Sequence, residues 1–299
     1  MRHLKLLAIS VLVAIVILAN CSRIPTTIPD TTTSPFYFIA IHNEPTNVES
    51  AYFILKEMIE KADEYHIKLT LMFTAQWADY ISESPQRMAD LEEWKRRGHE
   101  IAAHHHGIYH GAWDGYTFLS EEEAVAIRAE QGKHEAYLGT LIDYVNRLKN
   151  INFNIESGCL NEESDKRELP DEIICATCSG FANHGEPGRR EGDTIPEKGK
   201  NEYITVGTCN NIQRKWLAHY QIYQNITAAE NIFNSMDHGQ VFGGVVHSNI
   251  QNAESYYLFL EFLHSKDPQG IKSKTVSKII EQELIPEKTI PDYLLKPSK

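Results

Sequence analysis

The 299-residue sequence predicts an α/β fold, a distorted (β/α) barrel with seven strands in one domain. Two observations lead to this prediction. Short apolar runs alternate with segments whose apolar residues recur at helical spacing, an order typical of parallel strands joined by helical crossovers. About 260 residues follow Phe36 without an internal repeat or a second linker, which is enough for one large core.

Seven apolar runs are predicted to be strands. They lie at residues 36–42, 68–73, 99–104, 151–156, 172–178, 202–207 and 240–247. Each run is short and contains several apolar residues, as expected of buried strands. Seven strands in one domain favour a barrel over an open sheet.

Five helices are predicted, four between these strands and one after the last, at residues 49–65, 85–97, 120–150, 227–239 and 253–265. In the first helix, Ile54, Met58 and Ala62 follow at helical spacing. The third begins with a capping box formed by Ser120 and Glu123. Gly239 is expected to end the fourth.

The first 21 residues resemble an export signal. Arg2 and Lys5 precede the apolar run LLAISVLVAIVILA, which is shorter than the about 20 residues of a membrane span and suits a signal-peptide core. The sequence LANC resembles a lipoprotein processing box and makes Cys21 a candidate for lipidation, although Asn20 stands where a small residue is usual. An uncleaved N-terminal anchor is the alternative. Either way, we expect an exported protein, anchored to the outer face of the cell membrane or periplasmic.

Residues 22–35, SRIPTTIPDTTTSP, are predicted to be a surface tether. The segment is rich in Thr and Pro and lacks apolar periodicity, which is typical of an extended linker. Residues 36–299 then form the single catalytic-type barrel domain. Because the chain has a formal net charge of −12, it has no general attraction to nucleic acid or to an anionic membrane surface. We therefore expect no nucleic-acid partner, and membrane contact only through the N-terminal anchor.

Four cysteines belong to the predicted domain: Cys159, Cys175, Cys178 and Cys209. An even number of cysteines in an exported domain predicts disulfide bonds. A zinc site of four thiolates is the alternative, because the CATC sequence has a suitable spacing. The sequence does not determine the pairing.

Polar residues gather at the predicted ends of the strands. In parallel α/β folds, active sites form at the carboxyl ends of strands. The residues at or just after such ends are His42, Glu44, His104, His106, His110, Glu156 and His247. So many polar residues at the ends of strands predict a functional site.

The stretch IAAHHHGIYHGAWDGY, residues 101–116, predicts a metal site, because zinc and similar ions bind imidazole and carboxylate groups. His106 and His110 share a face if the loop forms a helical turn, whereas His104 and His106 share one if the strand continues. Both arrangements stay open. A solvated His-rich loop is the alternative to metal binding.

The sequence IHNEP supplies two further candidates. His42 and Glu44, two residues apart, point to the same side of an extended chain. They could bind a divalent metal, or Glu44 could orient a histidine or act as a general base. His247, at the end of the last core strand, is a candidate general acid or base.

The loop GAWDGY offers candidate substrate contacts. Trp113 and Tyr116 have flat faces of the kind that stack on sugar rings, and Asp114 could bind or orient a substrate, as could Glu156. An ordinary turn held by buried aromatics is the alternative. The sequence has no GxSxG, GxGxxG or Walker motif, which disfavours a serine hydrolase and a nucleotide cofactor.

The run KRRGHEIAAHHHGIYH resembles the second motif of the polysaccharide deacetylases, carbohydrate esterase family 4. In that family, histidines four apart bind zinc or another divalent ion. The order of motifs over residues 36–265 is also similar, with an apolar strand followed by acidic residues first and a strand ending in a catalytic histidine last. The family has two adjacent aspartates in its first motif, whereas this chain has His42, Asn43 and Glu44.

The resemblance implies a barrel of the polysaccharide deacetylase or glycoside hydrolase type. It also implies a metal-dependent hydrolase that removes N- or O-acetyl groups from a cell-surface carbohydrate, acting on C–N bonds other than peptide bonds. The divalent ion, expected to be zinc, would bind Glu44 and two or three of His104, His106 and His110. Glu44 or His42 would act as base and His247 as acid.

Two alternatives stay open. One is a glycoside hydrolase, which requires two carboxylates about 5–10 Å apart; Glu44, Asp114 and Glu156 are the candidates. The other is a non-catalytic surface lipoprotein that binds carbohydrate on a degenerate deacetylase fold.

Overall fold

We describe the fold from a computed structural model, over residues 34–160, 170–177, 199–209 and 212–289. The predicted signal peptide, the lipidation candidate Cys21, most of the tether and Cys178 lie outside these ranges. Within them, no helix combines the length and the apolar character needed to cross a membrane.

The described ranges contain eleven strands in one sheet. They are β1 (Phe36–Asn43), β2 (Leu69–Phe73), β3 (Glu100–His105), β4 (Ser157–Leu160), β5 (Cys175–Ala176), β6 (Lys200–Asn201), β7 (Ile204–Cys209), β8 (Ile212–Trp216), β9 (Tyr220–Gln221), β10 (Val241–His247) and β11 (Glu287–Thr289). The strand order is β11-β7-β8-β5-β4-β3-β2-β1-β10-β6, and β9 also pairs with β10. All pairs are parallel except β7–β8 and β10–β6.

In the same described ranges, eight α-helices accompany these strands. They are α1 (Val48–Glu64), α2 (Ala75–Ser82), α3 (Pro85–Arg96), α4 (Glu121–Glu130), α5 (Leu141–Leu148), α6 (Ile226–Asn234), α7 (Ile250–Lys266) and α8 (Val276–Glu281). The predicted capping box of α4 is present, because the Ser120 hydroxyl and the Glu123 carboxylate each accept a backbone N–H from the other residue.

The sheet is buried on both faces. In β1, the odd-numbered residues Tyr37, Ile39 and Ile41 pack in a core that contains residues of α1 and α7. Phe38 and Ala40 point the other way, into an inner core shared with residues of β2, β3, β4, β5, β7 and β10. Because strands far apart in the sheet order share this inner core, the sheet is curled. This confirms the predicted α/β barrel-type fold, although within the described ranges the end strands β11 and β6 are not paired with each other.

The segment at 151–156 was predicted as a strand, and this is wrong, because β4 begins only at Ser157. Ile151 and Ile155 pack in the same core as Tyr37 and Ile39, while Phe153 is 81% exposed. The apolar residues alternate in the sequence as in a strand, but only Ile151 and Ile155, four residues apart, are buried. As a consequence, Glu156 lies before β4 and not after a strand.

The predicted helix at 120–150 is interrupted. Helix α4 ends at Glu130, and α5 begins at Leu141. Gly132 and Gly139 have φ angles of +69° and +147°, which a helix does not accommodate. The predicted strand at 172–178 is also shorter than expected, with only Cys175–Ala176 paired.

The disulfide prediction is wrong for Cys175. Its side chain is a buried free thiol in β5, and burial raises the pKa of that thiol well above its ordinary value. Cys159, in β4, is buried and is not among the free thiols. Cys178 and the side chain of Cys209 lie outside the described part of the chain. Disulfide bonds at these three positions therefore stay a prediction.

Candidate functional site

The candidate site lies at the carboxyl ends of β1, β3 and β10, on the inner side of the sheet. Alternation along each strand directs His42, His104 and His247 inward, on the same face as Phe38, Ala102 and Val245 of the inner core. His42 pairs in register with His247. Parallel pairing thus brings together strand ends that are far apart in the sequence.

Glu44, in the loop after β1, contacts three histidines. Its Oε1 lies 3.4 Å from His104 Nε2 and 3.3 Å from His247 Nε2. Its Oε2 lies 3.3 Å from His106 Nε2. Four of the sequence-predicted residues are therefore in direct contact.

The other nitrogen of each of these rings has an acceptor as its neighbour. His104 Nδ1 lies 3.3 Å from the Cys159 carbonyl, and His106 Nδ1 lies 2.9 Å from the Ala112 carbonyl. His247 Nδ1 lies 3.2 Å from Asn252 Oδ1. Because these oxygens only accept hydrogen bonds, each neutral ring carries its proton on Nδ1. Three Nε2 lone pairs therefore point at one carboxylate.

This arrangement is favourable when a metal ion lies between the lone pairs and the carboxylate, or when a ring is protonated at Nε2. Two ligands of a tetrahedral zinc ion at about 2.0–2.1 Å lie about 3.3 Å apart, and the observed N···O separations are 3.3–3.4 Å. Donor atoms of Glu44, His104 and His106 all lie within 4.8 Å of one another. The residues therefore fit a divalent metal ion, and their Nδ1 hydrogen bonds are of the kind that orients metal-binding histidines.

His110 belongs to this site less directly. Its ring centroid lies 3.8 Å from that of His106, but its Nδ1 accepts the Ala112 N–H at 3.1 Å. The proton of the neutral His110 ring is then on Nε2, so neither nitrogen offers a free lone pair to a metal. Of the two spacings that the sequence left open, the geometry favours His104 with His106.

Burial and contacts with one another shift the pKa values of the side chains in the site. Burial by itself raises the pKa of Glu44, but its contacts with His104 and His106 outweigh this effect and lower the pKa well below the ordinary range. Burial lowers the pKa of His104 to about 4, against the opposing effect of Glu44. Burial likewise lowers the pKa values of His42 and His247. Neutral histidines facing an ionised carboxylate are what a metal site requires.

These shifts predict that acid destabilises the metal-free protein. The unfolded state binds a proton to His104 near pH 6.5, whereas the folded state does so only near pH 4. Stability is therefore full above pH 6.5 and falls as the pH drops towards 4, by on the order of 3 kcal/mol from His104 alone. Urea unfolding of metal-free protein at pH 7 and pH 5 would measure this. Equal free energies of unfolding at the two values would contradict the prediction.

His219 is a site residue that the sequence reading missed. Its ring lies 5.5 Å from that of His42, which also stacks on His104 at 4.1 Å. Donor atoms of His42, Cys159 and His219 lie within 4.8 Å of one another. Because Cys159 is not among the free thiols, the Glu44 group is the better metal candidate.

The segment before His219 is held against β10. Asn201 donates a hydrogen bond to the Ala218 carbonyl and accepts one from the Ala218 N–H. Gly243 permits this approach, since a Cβ there would lie 2.3 Å from the Ala218 oxygen. Such contacts between distant segments leave no local pattern in the sequence.

Tyr223 and Asn252 were also missed. The Tyr223 ring lies 5.0 Å from that of His247, and Asn252 Oδ1 accepts both the backbone N–H and the Nδ1–H of His247. Tyr223 is half-buried beside the site.

The predicted substrate platform is wrong for Trp113 and Tyr116. Both are buried, at 5% and 2% exposure, and the Trp113 indole N–H donates to the Tyr116 carbonyl. The Arg128 guanidinium lies over the Trp113 ring, 5.4 Å from its centroid. The loop folds onto α4 and its aromatic faces are used for packing.

The two remaining carboxylate candidates lie elsewhere. Asp114 is 1% exposed and accepts hydrogen bonds from His105 and from the backbone of His106 and Tyr116. Glu156 is exposed and lines a cavity with Glu100, at the amino end of β3. Asp114 therefore supports the loop, and Glu156 is at the opposite end of the strands from Glu44.

No protein-family model and no curated protein sequence matches the chain. Among solved structures it is similar to the 4-alpha-glucanotransferase from Thermococcus litoralis, with a TM-score of 0.50 and 15% identity over 82% of this chain. The chain covers only 38% of the length of that protein. A putative polysaccharide deacetylase from Mycobacterium smegmatis gives a TM-score of 0.46 at 9% identity, over 89% of this chain and 96% of that one. The Xyl-CE4 domain of a multidomain xylanase from the hindgut metagenome of Trinervitermes trinervoides gives 0.39 at 11% identity, over 84% and 91%. At such identities, the likeness to the glucanotransferase shows a shared fold.

Proposed function

We propose that the chain is a metal-dependent hydrolase that removes N- or O-acetyl groups from a carbohydrate. The observation that carries the proposal is the convergence of His104, His106 and His247 on Glu44, with each Nε2 directed at the carboxylate. The sequence resemblance to polysaccharide deacetylases supports the choice of substrate.

Glu44, His104 and His106 would hold the ion, and zinc suits a donor set of imidazole and carboxylate. When bound, the ion supplies a Lewis acid that polarises the acetyl carbonyl and lowers the pKa of a water molecule. The hydrogen bonds from His104 and His106 to backbone carbonyls keep both rings in the tautomer that leaves Nε2 available.

His247 would transfer the proton. Its side chain is 21% exposed, and its Nε2 lone pair is free because Nδ1 donates to Asn252. It can take a proton from water as the water oxygen bonds to the acetyl carbon. It can then give that proton to the leaving nitrogen or oxygen as the bond to the acetyl carbon breaks. Glu44 stabilises the imidazolium between these two steps.

His42 stays a candidate base, but its position favours it less. It is 5% exposed, and its Nε2 has no hydrogen-bond partner in the described part of the chain. Tyr223, which packs on His247 and is half-exposed, replaces Trp113 and Tyr116 in our proposal as the aromatic face for a sugar ring.

A glycoside hydrolase is less well supported. It requires a second carboxylate about 5–10 Å from the first. Of the three carboxylates that the sequence offered, only Glu44 reaches the site, since Asp114 is engaged by the loop and Glu156 lies at the other end of the strands.

We also propose that the domain acts outside the cytoplasm, attached to the membrane through its N-terminal segment. The proposal rests on the signal-like residues 1–21 and the tether at 22–35. Detection of a lipid on Cys21 by mass spectrometry of the membrane fraction would support it.

Metal analysis and acetate release test the proposed activity. We expect about one zinc ion per chain, and acetate release from N-acetylated oligosaccharides that a chelator abolishes and added zinc restores. Absence of stoichiometric metal would overturn the mechanism. Shortened sugars in place of acetate would indicate a glycosidase, and sugar binding without turnover would indicate a binding protein.

A further inference from the structure

A groove of about 350 Å³ adjoins the Glu44 site. It lies between the loop that joins β1 to α1 and the loop that joins β10 to α7, and Glu44 is one of its lining residues. Its volume is at the lower end of the range of ligand pockets, about 300–1,000 Å³. A ligand in this groove would therefore be adjacent to the proposed reaction centre.

The lining of the groove is polar but almost uncharged. Hydroxyl and amide groups come from Thr46, Ser50, Ser248 and Gln251, and Glu44 is the only charged residue among those that line it. The Glu44 carboxylate is directed at the three histidines. The groove therefore offers neutral hydrogen-bonding groups and no cation.

Two polar residues of the lining, Asn47 and Ser248, are candidates for contact with a ligand. Asn47 precedes α1 at the N-cap position, but its left-handed backbone, with φ +56°, leaves its side chain without a capping hydrogen bond. Ser248 is only 3% exposed. The Asn47 amide, which caps no backbone N–H, is therefore available to a ligand.

Apolar surface completes the groove. Ala51 and Ile54 of α1 lie on one side, and Ile250, which is 73% exposed, lies on the other. A ligand that fits must present both hydroxyl groups and C–H surface, with no negative charge.

We infer that this groove binds an uncharged sugar residue of the substrate chain, next to the residue that carries the acetyl group, and discriminates against acidic carbohydrates. The inference rests on the proposed function. A sugar ring presents hydroxyl groups that both donate and accept and C–H faces that pack on Ile54 and Ile250. An acidic sugar would meet no cation in the groove, and it would approach a chain with a formal net charge of −12.

The test measures binding by calorimetry to the purified protein, with an N-acetylglucosamine oligomer and a galacturonic acid oligomer of the same length. Ser50→Trp and Gln251→Trp fill the groove from its two walls, and both positions are exposed. Ala89→Trp, at an exposed position on α3, is the matched control. We expect the neutral oligomer to bind at least about tenfold more tightly than the acidic one. Each groove variant should lower the affinity for the neutral oligomer about tenfold, whereas the control should leave it unchanged.

Equal binding of the two oligomers by the unmodified protein would overturn the inference, as would unchanged binding in both groove variants with circular dichroism like that of the unmodified protein. The inference and the proposed function fail separately. Neutral-sugar binding that depends on the groove, in a protein that holds no metal and releases no acetate, contradicts only the proposed function. Acetate release that both groove variants retain, with unchanged sugar binding, contradicts only the inference.

Discussion

Replacing His106 with alanine is expected to remove most of the bound metal and to lower kcat/KM for acetate release by about 10³. His106 Nε2 lies 3.3 Å from Glu44 Oε2, and its Nδ1 is hydrogen-bonded to the Ala112 carbonyl, so the ring has the tautomer and the orientation of a ligand. Loss of a Lewis acid removes several kcal/mol of transition-state stabilisation, and each 1.36 kcal/mol is tenfold in rate. Elemental analysis and steady-state kinetics of the same preparation would measure both effects.

His110→Ala is the matched control for His106→Ala. The two rings are 3.8 Å apart, so both substitutions remove an imidazole from the same loop. Because His110 Nδ1 accepts the Ala112 N–H, we expect this variant to keep its metal and to lose less than about tenfold in kcat/KM. Equal loss of metal in the two variants would show that the histidines four residues apart form the ligand pair.

The residues of the site that lie at the ends of strands could be predicted from the sequence. A parallel strand exposes its last side chains at the same edge of the sheet as its neighbours, and alternation decides which of them point inward. This reasoning selected His42, Glu44, His104 and His247 from the sequence alone, and the structure brings them together. The same alternation directs His105, the next residue of β3, to the opposite face, where it contacts Asp114.

The other features of the site depend on contacts between segments that are distant in the sequence. His219 reaches the site because Asn201 and Gly243 hold the Ala218 backbone against β10, and none of these residues has a distinctive spacing. The role of Trp113 could not be predicted either. An exposed aromatic and a buried one look the same in a glycine-rich loop, and the difference depends on α4, which brings Arg128 to the ring.

Replacing Asp114 with asparagine is expected to lower both the stability and the metal affinity of the protein. The carboxylate is 1% exposed, and its Oδ2 accepts from His105 Nδ1 at 2.9 Å and from the His106 N–H at 3.1 Å. Its Oδ1 accepts from the Tyr116 N–H at 3.1 Å. Asparagine has the same shape but only one acceptor oxygen, so its NH₂ group must face at least one of these donors.

A buried donor without an acceptor costs about 1–3 kcal/mol, and hydrogen bonds to a charged acceptor contribute about 1.5–3 kcal/mol. We therefore expect the free energy of unfolding to fall by about 3 kcal/mol, as measured by urea unfolding of the metal-free protein. Because Asp114 holds the backbone of His106, zinc affinity should fall by about 10–100-fold in a competition with a chelator.

Asp79→Asn is the matched control, since it makes the same chemical change at an exposed carboxylate. Asp79 pairs with Arg147 at 3.2 Å, and both side chains are about half-exposed, at 41% and 54%. Such a pair contributes about 0–1 kcal/mol and does not touch the site. If Asp114→Asn lost stability but bound zinc as tightly as Asp79→Asn, the loop would be a structural element only. A joint loss would show that the buried hydrogen bonds of Asp114 hold His106 in the position in which it binds the metal.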